Sequence, residues 1–115
     1  MSFAVVTKSK PGVADDALAI VTESLDRREI VHVFGIVDFA SAGTLETALT
    51  SAVRIGKPLI ANLRECSFID AAGIGVLVRA RKALGGLFSV LIAPGSLPDR
   101  LLHLVDLGGM IGDAI

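Results

Sequence analysis

Short apolar runs, separated by charged residues, glycine and proline, recur along the chain. The first two runs with strand composition, residues 17–24 and 30–37, flank the charged segment 26–29. The second run is rich in the β-branched residues that favour strands, and the connection between the two is short. We therefore expect an antiparallel hairpin whose second strand ends at Asp38.

Helix and strand patterns alternate after the hairpin. A segment that begins at Ser41 or at Gly43-Thr44 and runs to about Ile55 carries apolar residues three and four positions apart, which predicts a helix with one buried face. The apolar run 59–63 predicts a strand buried on both faces. Three further elements complete the series: a helix over about 71–84, a strand over 87–93 and a helix over about 97–107.

This alternation predicts parallel strand pairing through right-handed crossovers. With the leading hairpin, the fold class is α/β: a single domain, residues 17–115, with helices packed against a mixed, mostly parallel β-sheet of four to five strands. Residues 1–16 are predicted to form a separate N-terminal arm, in which Phe3-Ala-Val-Val6 could add an edge strand. The segment 110–115 could add a short terminal strand.

Composition narrows the class of protein. The 115 residues are 52% hydrophobic with mean hydropathy +0.69, but no apolar run approaches the ~20 residues that cross a membrane, so we expect a dense core and no membrane insertion. A net charge of −1 offers too few positive charges for nucleic-acid binding. Residues 1–16 lack the pattern of a signal peptide, and the one cysteine, Cys66, can form neither an internal disulfide nor a metal site alone. We therefore expect a cytoplasmic protein.

The residue types that carry catalysis lack partners in the local sequence. Neither His32 nor His103 has surroundings typical of a catalytic triad, Cys66 has no adjacent histidine, and the carboxylates show no paired spacing. We therefore predict no enzymatic activity, no bound metal and no cofactor.

The stretch Asp70-Ala-Ala-Gly-Ile-Gly75 stands at the start of the predicted helix 71–84. An aspartate there can accept hydrogen bonds from first-turn amides, and its charge suits the positive end of the helix dipole. Glycine costs about 1 kcal/mol against alanine inside a helix, so Gly73 and Gly75 indicate that another backbone approaches closely, from this chain or from a partner. A dinucleotide loop is not favoured, because Val78 stands where its third glycine belongs.

The helical period of 3.6 residues divides residues 71–84 into two faces. The inner face is predicted to hold Ile74, Leu77, Val78, Arg81 and Leu84. The outer face is predicted to hold Ala72, Gly75, Val76, Arg79 and Lys82. The outer face begins with small residues and ends with basic ones, a pattern typical of a flat docking surface or, more simply, of a solvated helix face.

Together these residues resemble a known family. Gly35-Ile-Val-Asp38, then residues 62–84 and the strand and helix that follow, are similar to STAS domains, and in particular to the bacterial anti-sigma factor antagonists. The resemblance extends over roughly residues 17–110 and implies a STAS-like fold. It also implies a function, since such an antagonist binds an anti-sigma factor that is also a serine kinase and thereby frees a sigma factor. Phosphorylation of a serine or threonine directly after the motif aspartate releases that antagonist.

The resemblance also implies a binding site. The motif aspartate corresponds to Asp70, the helix glycines to Gly73 and Gly75, and the acidic residue after the second strand to Asp38. The expected partner-binding residues are Asp38, Asp70, Ala71, Ala72, Gly73, Gly75, Val76 and Arg79. The chain departs from the family at the phosphoacceptor, where Ala71 has no hydroxyl, so we expect no phosphorylation there.

Several alternatives stay open. Ser67, Ser41 and Thr44 offer hydroxyls near the same end of the sheet, although they lie off the motif. The resemblance also allows this chain to be a STAS accessory subunit of a membrane lipid-transport ABC complex, since some single-domain STAS proteins resemble that role. It could also be a sensing module that binds a nucleotide or another small ligand at the helix N-terminus. Two copies of the chain could pair as a homodimer, for which residues 1–16 are a candidate.

Overall fold

The structure, a computed structural model, describes residues 3–8 and 18–112. In this part of the chain the elements follow one another as β1 Phe3–Lys8, β2 Ala19–Ser24, β3 Glu29–Val37, α1 Ala42–Val53, β4 Leu59–Ile69, α2 Ala71–Leu84, β5 Phe88–Leu91 and α3 Leu97–Leu104. Short 3-10 turns, Gly85–Leu87 and Gly108–Met110, follow α2 and α3. The predicted single α/β domain is confirmed.

The five strands form one mixed sheet in the order β1-β2-β3-β4-β5. The predicted hairpin is present as the antiparallel pair β2 and β3, and β4 and β5 add to it in parallel through the crossover helices α1 and α2. β1 pairs with β2 antiparallel, so part of the predicted arm is the edge strand that its apolar run indicated. The division at residue 16 stays a prediction.

β4 is much longer than the predicted strand 59–63. Bulges in its pairing with β3 disrupt the alternating pattern, so the sequence did not indicate its full length. Its first five residues are all buried, as the apolar run indicated. Beyond them the register with β3 slips twice, each time with one extra residue in β4. The buried positions therefore become Leu63, Cys66 and Ile69, three apart rather than two. The slipped register places Val37 beside Ile69, so Asp38 and Asp70 both follow at the same end of the sheet.

The core forms where α1, α2 and α3 pack with alternate residues of the sheet. From the sheet it includes Ile20, Val31, Val33, Val37, Leu59, Ala61, Leu63 and Ile69. The helices contribute Ala42, Leu45, Leu49 and Ala52 from α1, Val76, Leu77 and Ala80 from α2, and Leu102 from α3. Ile30, Ile60 and Leu91 occupy intervening strand positions and form a small cluster on the opposite side of the sheet.

The predicted bounds of α2 are confirmed, but its predicted faces are partly wrong. Val76, assigned to the outer face, is only 2% exposed, whereas Val78, assigned to the inner face, is half-buried. The reason is that α2 packs on α1 as well as on the sheet, so its buried strip is rotated toward Gly73, Val76 and Ala80. Val76 is thus a core residue with almost no exposed surface for a partner.

The elements after α2 are shorter than predicted. β5 ends at Leu91, and α3 ends at Leu104, shortly before Asp106 adopts a left-handed φ of 62°. In place of the predicted terminal strand, Ile111 forms a single parallel bridge to Val90. The rest of that segment, 113–115, lies outside the described residues. Within the described ranges, every helix is too short or too polar to cross a membrane.

Candidate functional site

Asp70 joins the start of α2 to the loop that follows β3. Its Oδ1 accepts hydrogen bonds from the backbone amides of Ala72 at 2.9 Å and Gly73 at 3.2 Å, which confirms the predicted helix cap. Its Oδ2 accepts a third bond, from the amide of Phe39 at 2.9 Å. Both carboxylate oxygens therefore accept hydrogen bonds from backbone amides. Asp70 acts chiefly by holding the start of α2 and the loop after β3 together.

The loop after β3 is held by a reciprocal arrangement of Asp38 and Ser41. The Asp38 carboxylate accepts from the Ser41 amide at 3.1 Å, while the Asp38 amide donates to Ser41 Oγ at 3.0 Å. The Asp38 carbonyl also accepts from the amides of Ser41 and Ala42, the start of α1. Because the loop is bonded to itself, to α1 and to Asp70, its backbone has little freedom.

These bonds place Phe39 and Ala40 at the surface beside the start of α2. Phe39 is 87% exposed, and Ala40 and Ala71 are exposed as well. We call residues 38–40 and 70–72 the Asp70 surface. Sequence reasoning missed Phe39, although an aromatic residue in a strand-to-helix loop was an available signal.

The structure explains the two glycines of α2 differently. A β-carbon on Gly73 would lie 2.6 Å from Cγ1 of Ile69 and 2.7 Å from Cγ1 of Val37, closer than such atoms approach. A β-carbon on Gly75 would meet only Nη1 of Arg79, at 3.5 Å. The close approach at Gly73 is therefore internal, where α2 packs on the sheet, and it comes from two side chains rather than from the backbone that the sequence predicted. Gly75 has no comparable packing requirement.

Arg79 lies one helical turn beyond Gly75. Its side chain is 59% exposed and forms an ion pair with Glu46 of α1 across the junction of the two helices. The two residues line one side of a shallow groove of about 160 Å³, and Val76 lies in its wall. Arg79 remains accessible to a partner, but its charge already has a counterion in this chain.

The alternative hydroxyls differ in accessibility. Ser41 is 6% exposed, and its Oγ lies within the loop's hydrogen bonds. Ser67 is exposed, and its hydroxyl donates to the carbonyl of Gly35 at 3.3 Å. Thr44 is half-buried in α1. Of these three residues, Ser41 is the least accessible to a modifying enzyme.

The two histidines have partners that the local sequence could not reveal. Nε2 of His32 lies 3.0 Å from Oε1 of Glu23, and Nδ2 of Asn62 lies 2.9 Å from His32 Nδ1. Because Asn62 Oδ1 accepts from the amide and Nε of Arg64, the Asn62 amino group faces His32. His103 pairs with Asp99 on the exposed side of α3. These contacts give no support to catalysis by either histidine. The predicted absence of enzymatic activity stays a prediction.

Cys66 is 3% exposed, and burial raises the pKa of its thiol above the ordinary 9.0. The thiol therefore ionises more readily in the unfolded chain, and its contribution to stability is lost as the pH rises above the unfolded value. We expect the free energy of unfolding to fall less between pH 7 and pH 10 in Cys66→Ala than in the wild type. Urea unfolding at both pH values measures this, and equal losses in the two proteins would contradict it.

The model of the STAS domain family matches residues 19–113. The chain belongs to the STAS domain family. The resemblance predicted from the sequence is thus confirmed. The matched part of this STAS domain includes the ends of β3 and β4 and the whole of α2. A search of curated proteins finds no match.

Solved structures share the fold. This STAS domain is 27% identical to an anti-sigma factor antagonist from Mycobacterium paratuberculosis, with a TM-score of 0.75 over 85% of this chain and 86% of the other. It is 20% identical to the Bacillus cell fate determinant SpoIIAA in its phosphorylated form, with a TM-score of 0.64 over 84% and 91%. It is 17% identical to the anti-sigma factor antagonist SpoIIAA in its unphosphorylated form, with a TM-score of 0.65 over 86% and 89%. At 20% and 17% identity, the similarity to SpoIIAA shows a shared fold only.

Proposed function

We propose that this STAS domain is an anti-sigma factor antagonist, which binds an anti-sigma factor of the serine-kinase kind and so frees a sigma factor. The observation that carries the proposal is the Asp70 surface, where one carboxylate fixes both the start of α2 and the loop after β3. A rigid surface loses little conformational entropy when a partner binds, which suits a docking role. The 27% identity to an anti-sigma factor antagonist over 85% of the chain supports the same function.

The partner would contact the exposed part of this surface. Ala71 and Ala72 on α2 and Asp38 in the loop stay candidate contacts, with Gly75 and Arg79 farther along the helix. Gly73 and Val76 act from within the core, because both are buried. Their effect on a partner would therefore come through the packing of α2 rather than through direct contact.

Regulation of this protein would differ from a phosphorylation switch. The position after Asp70 is Ala71, which is exposed and has only a methyl group to offer. A phosphate there would add a charge of roughly −2 at the centre of the docking surface. Without an acceptor, binding would continue while ATP is present, so the antagonist would be controlled by its abundance or by competing partners.

Restoring a hydroxyl at this position tests the proposal. Ala71→Ser is expected to incorporate close to one phosphate per chain when incubated with the host's purified anti-sigma factor kinases and ATP, because the residue is exposed on a well-formed helix start. Wild-type protein is expected to incorporate almost none. Radiolabelled ATP and intact mass measure the transfer.

The controls separate binding from phosphorylation. Ala83→Ser places a hydroxyl at an exposed position near the other end of α2 and is expected to remain unmodified. Robust phosphate on the wild-type chain would contradict the non-switchable account. Failure of every kinase to bind either the wild type or Ala71→Ser would contradict the proposed partner.

A further inference from the structure

Phe39 is the most exposed of the described large hydrophobic side chains, at 87%. Isolated apolar residues at a surface are common and need no function. Phe39 differs because its backbone amide is bonded to Asp70 Oδ2 at 2.9 Å, in a loop that Asp38 and Ser41 also brace. The fold thus holds an aromatic side chain outward from a constrained backbone rather than letting it turn inward.

The position of Phe39 links it to the proposed docking site. The same carboxylate that receives the Phe39 amide caps the first turn of α2, which carries Ala71. Phe39 and Ala71 therefore belong to one braced unit, and a partner seated over Ala71 would lie beside the phenylalanine. This continuity favours the partner of the Asp70 surface as the occupant that covers Phe39.

The charges around this unit are already engaged within the chain. The Asp70 oxygens accept three backbone bonds, Asp38 Oδ1 accepts from Ser41, and Arg79 pairs with Glu46. The exposed atoms that remain at Phe39, Ala40 and Ala71 are largely apolar. The surface next to the ring is therefore apolar, which favours an apolar cavity in the partner at this point.

We propose that Phe39 is the anchor of the docking surface and that the anti-sigma factor receives its ring in an apolar pocket. This inference rests on the proposed function and specifies the chemistry of the partner. A preplaced aromatic anchor concentrates binding energy in one side chain, as interface hot spots do. It would also sustain binding in a protein whose Ala71 cannot receive a dissociating phosphate.

Titration of the purified kinases with wild type, Phe39→Ala and Phe39→Leu tests the anchor. Phe39→Ala is expected to raise the dissociation constant by at least about 30-fold, which corresponds to about 2 kcal/mol, and Phe39→Leu by an intermediate factor. Leu104→Ala is the matched control, because Leu104 is 80% exposed at the end of α3. It is expected to bind within about twofold of the wild type. Thermal unfolding should be nearly the same in all four proteins.

The outcomes distinguish the inference from the function on which it rests. Wild-type binding that Phe39→Ala leaves unchanged would overturn the anchor and keep the proposed function. No binding by the wild type would overturn both. If Phe39→Ala converts a dimer into a monomer and still binds the kinase normally, the occupant is a second copy of the chain, and the proposed pocket in the kinase is wrong.

Discussion

Asp70→Ala is expected to lower the free energy of unfolding by about 2–3 kcal/mol, because it removes a helix cap, a favourable charge at the helix N-terminus and the bond to Phe39. For a domain of this size the loss corresponds to a melting temperature lower by roughly 8–12 °C. Urea unfolding and thermal scans measure both quantities. A change below about 0.5 kcal/mol would contradict the role assigned to this carboxylate.

Asp70→Ser separates the two parts of that role. Serine is a favourable cap, so its hydroxyl can still accept from the first turn of α2. Its shorter side chain does not reach both the helix and the Phe39 amide. We expect Asp70→Ser to recover about half of the lost stability but to leave the loop 38–40 less constrained. Faster hydrogen exchange at the Phe39 amide, with α2 protected, would show this separation; equal protection at both sites would contradict it.

Gly73→Ala is expected to destabilise the fold by about 2 kcal/mol. The added methyl group would meet Val37 and Ile69, which are both 0% exposed, so that making room for it would disturb the packing of the core. The gain in helix propensity offsets only part of this cost. Urea unfolding measures the change.

Gly75→Ala is the matched control on the same helix. Its β-carbon meets nothing closer than 3.5 Å, so the substitution is expected to be neutral or to stabilise by up to about 1 kcal/mol. If both variants lose equal stability, the packing explanation for Gly73 is wrong. If Gly75→Ala keeps its stability but binds the kinase weakly, the partner contacts α2 at Gly75, as the sequence suggested.

The features predicted well from the sequence depend on local interactions. The cap at Asp70 and the bounds of α2 follow from residues within one helical turn of each other. The hairpin of β2 and β3 follows from two strand patterns and a short connection. In each case the residues that determine the structure are near neighbours in the chain, so a single sequence carries the signal.

The features that were missed depend on distant contacts. β4 beyond Leu63 lost its alternating pattern because it carries extra, unpaired residues where its register slips against β3, which lies about thirty positions earlier in the chain. Val76 was assigned to the wrong face because α1 covers that side of α2. The bond from Phe39 to Asp70 spans 31 positions. Neither the sequence around Phe39 nor the sequence around Asp70 indicates that the two residues are bonded.

Release of a sigma factor is the most direct test of the proposed function. A fluorescently labelled sigma factor is first bound to its anti-sigma factor kinase, and the wild-type STAS domain is then added in the presence of ATP. We predict that the anisotropy of the label falls to the value of free sigma factor and stays there, whereas with Ala71→Ser it falls and then rises as phosphorylation proceeds. Anisotropy that stays high after addition of saturating wild-type protein, for every such pair in the host, would contradict the proposed function.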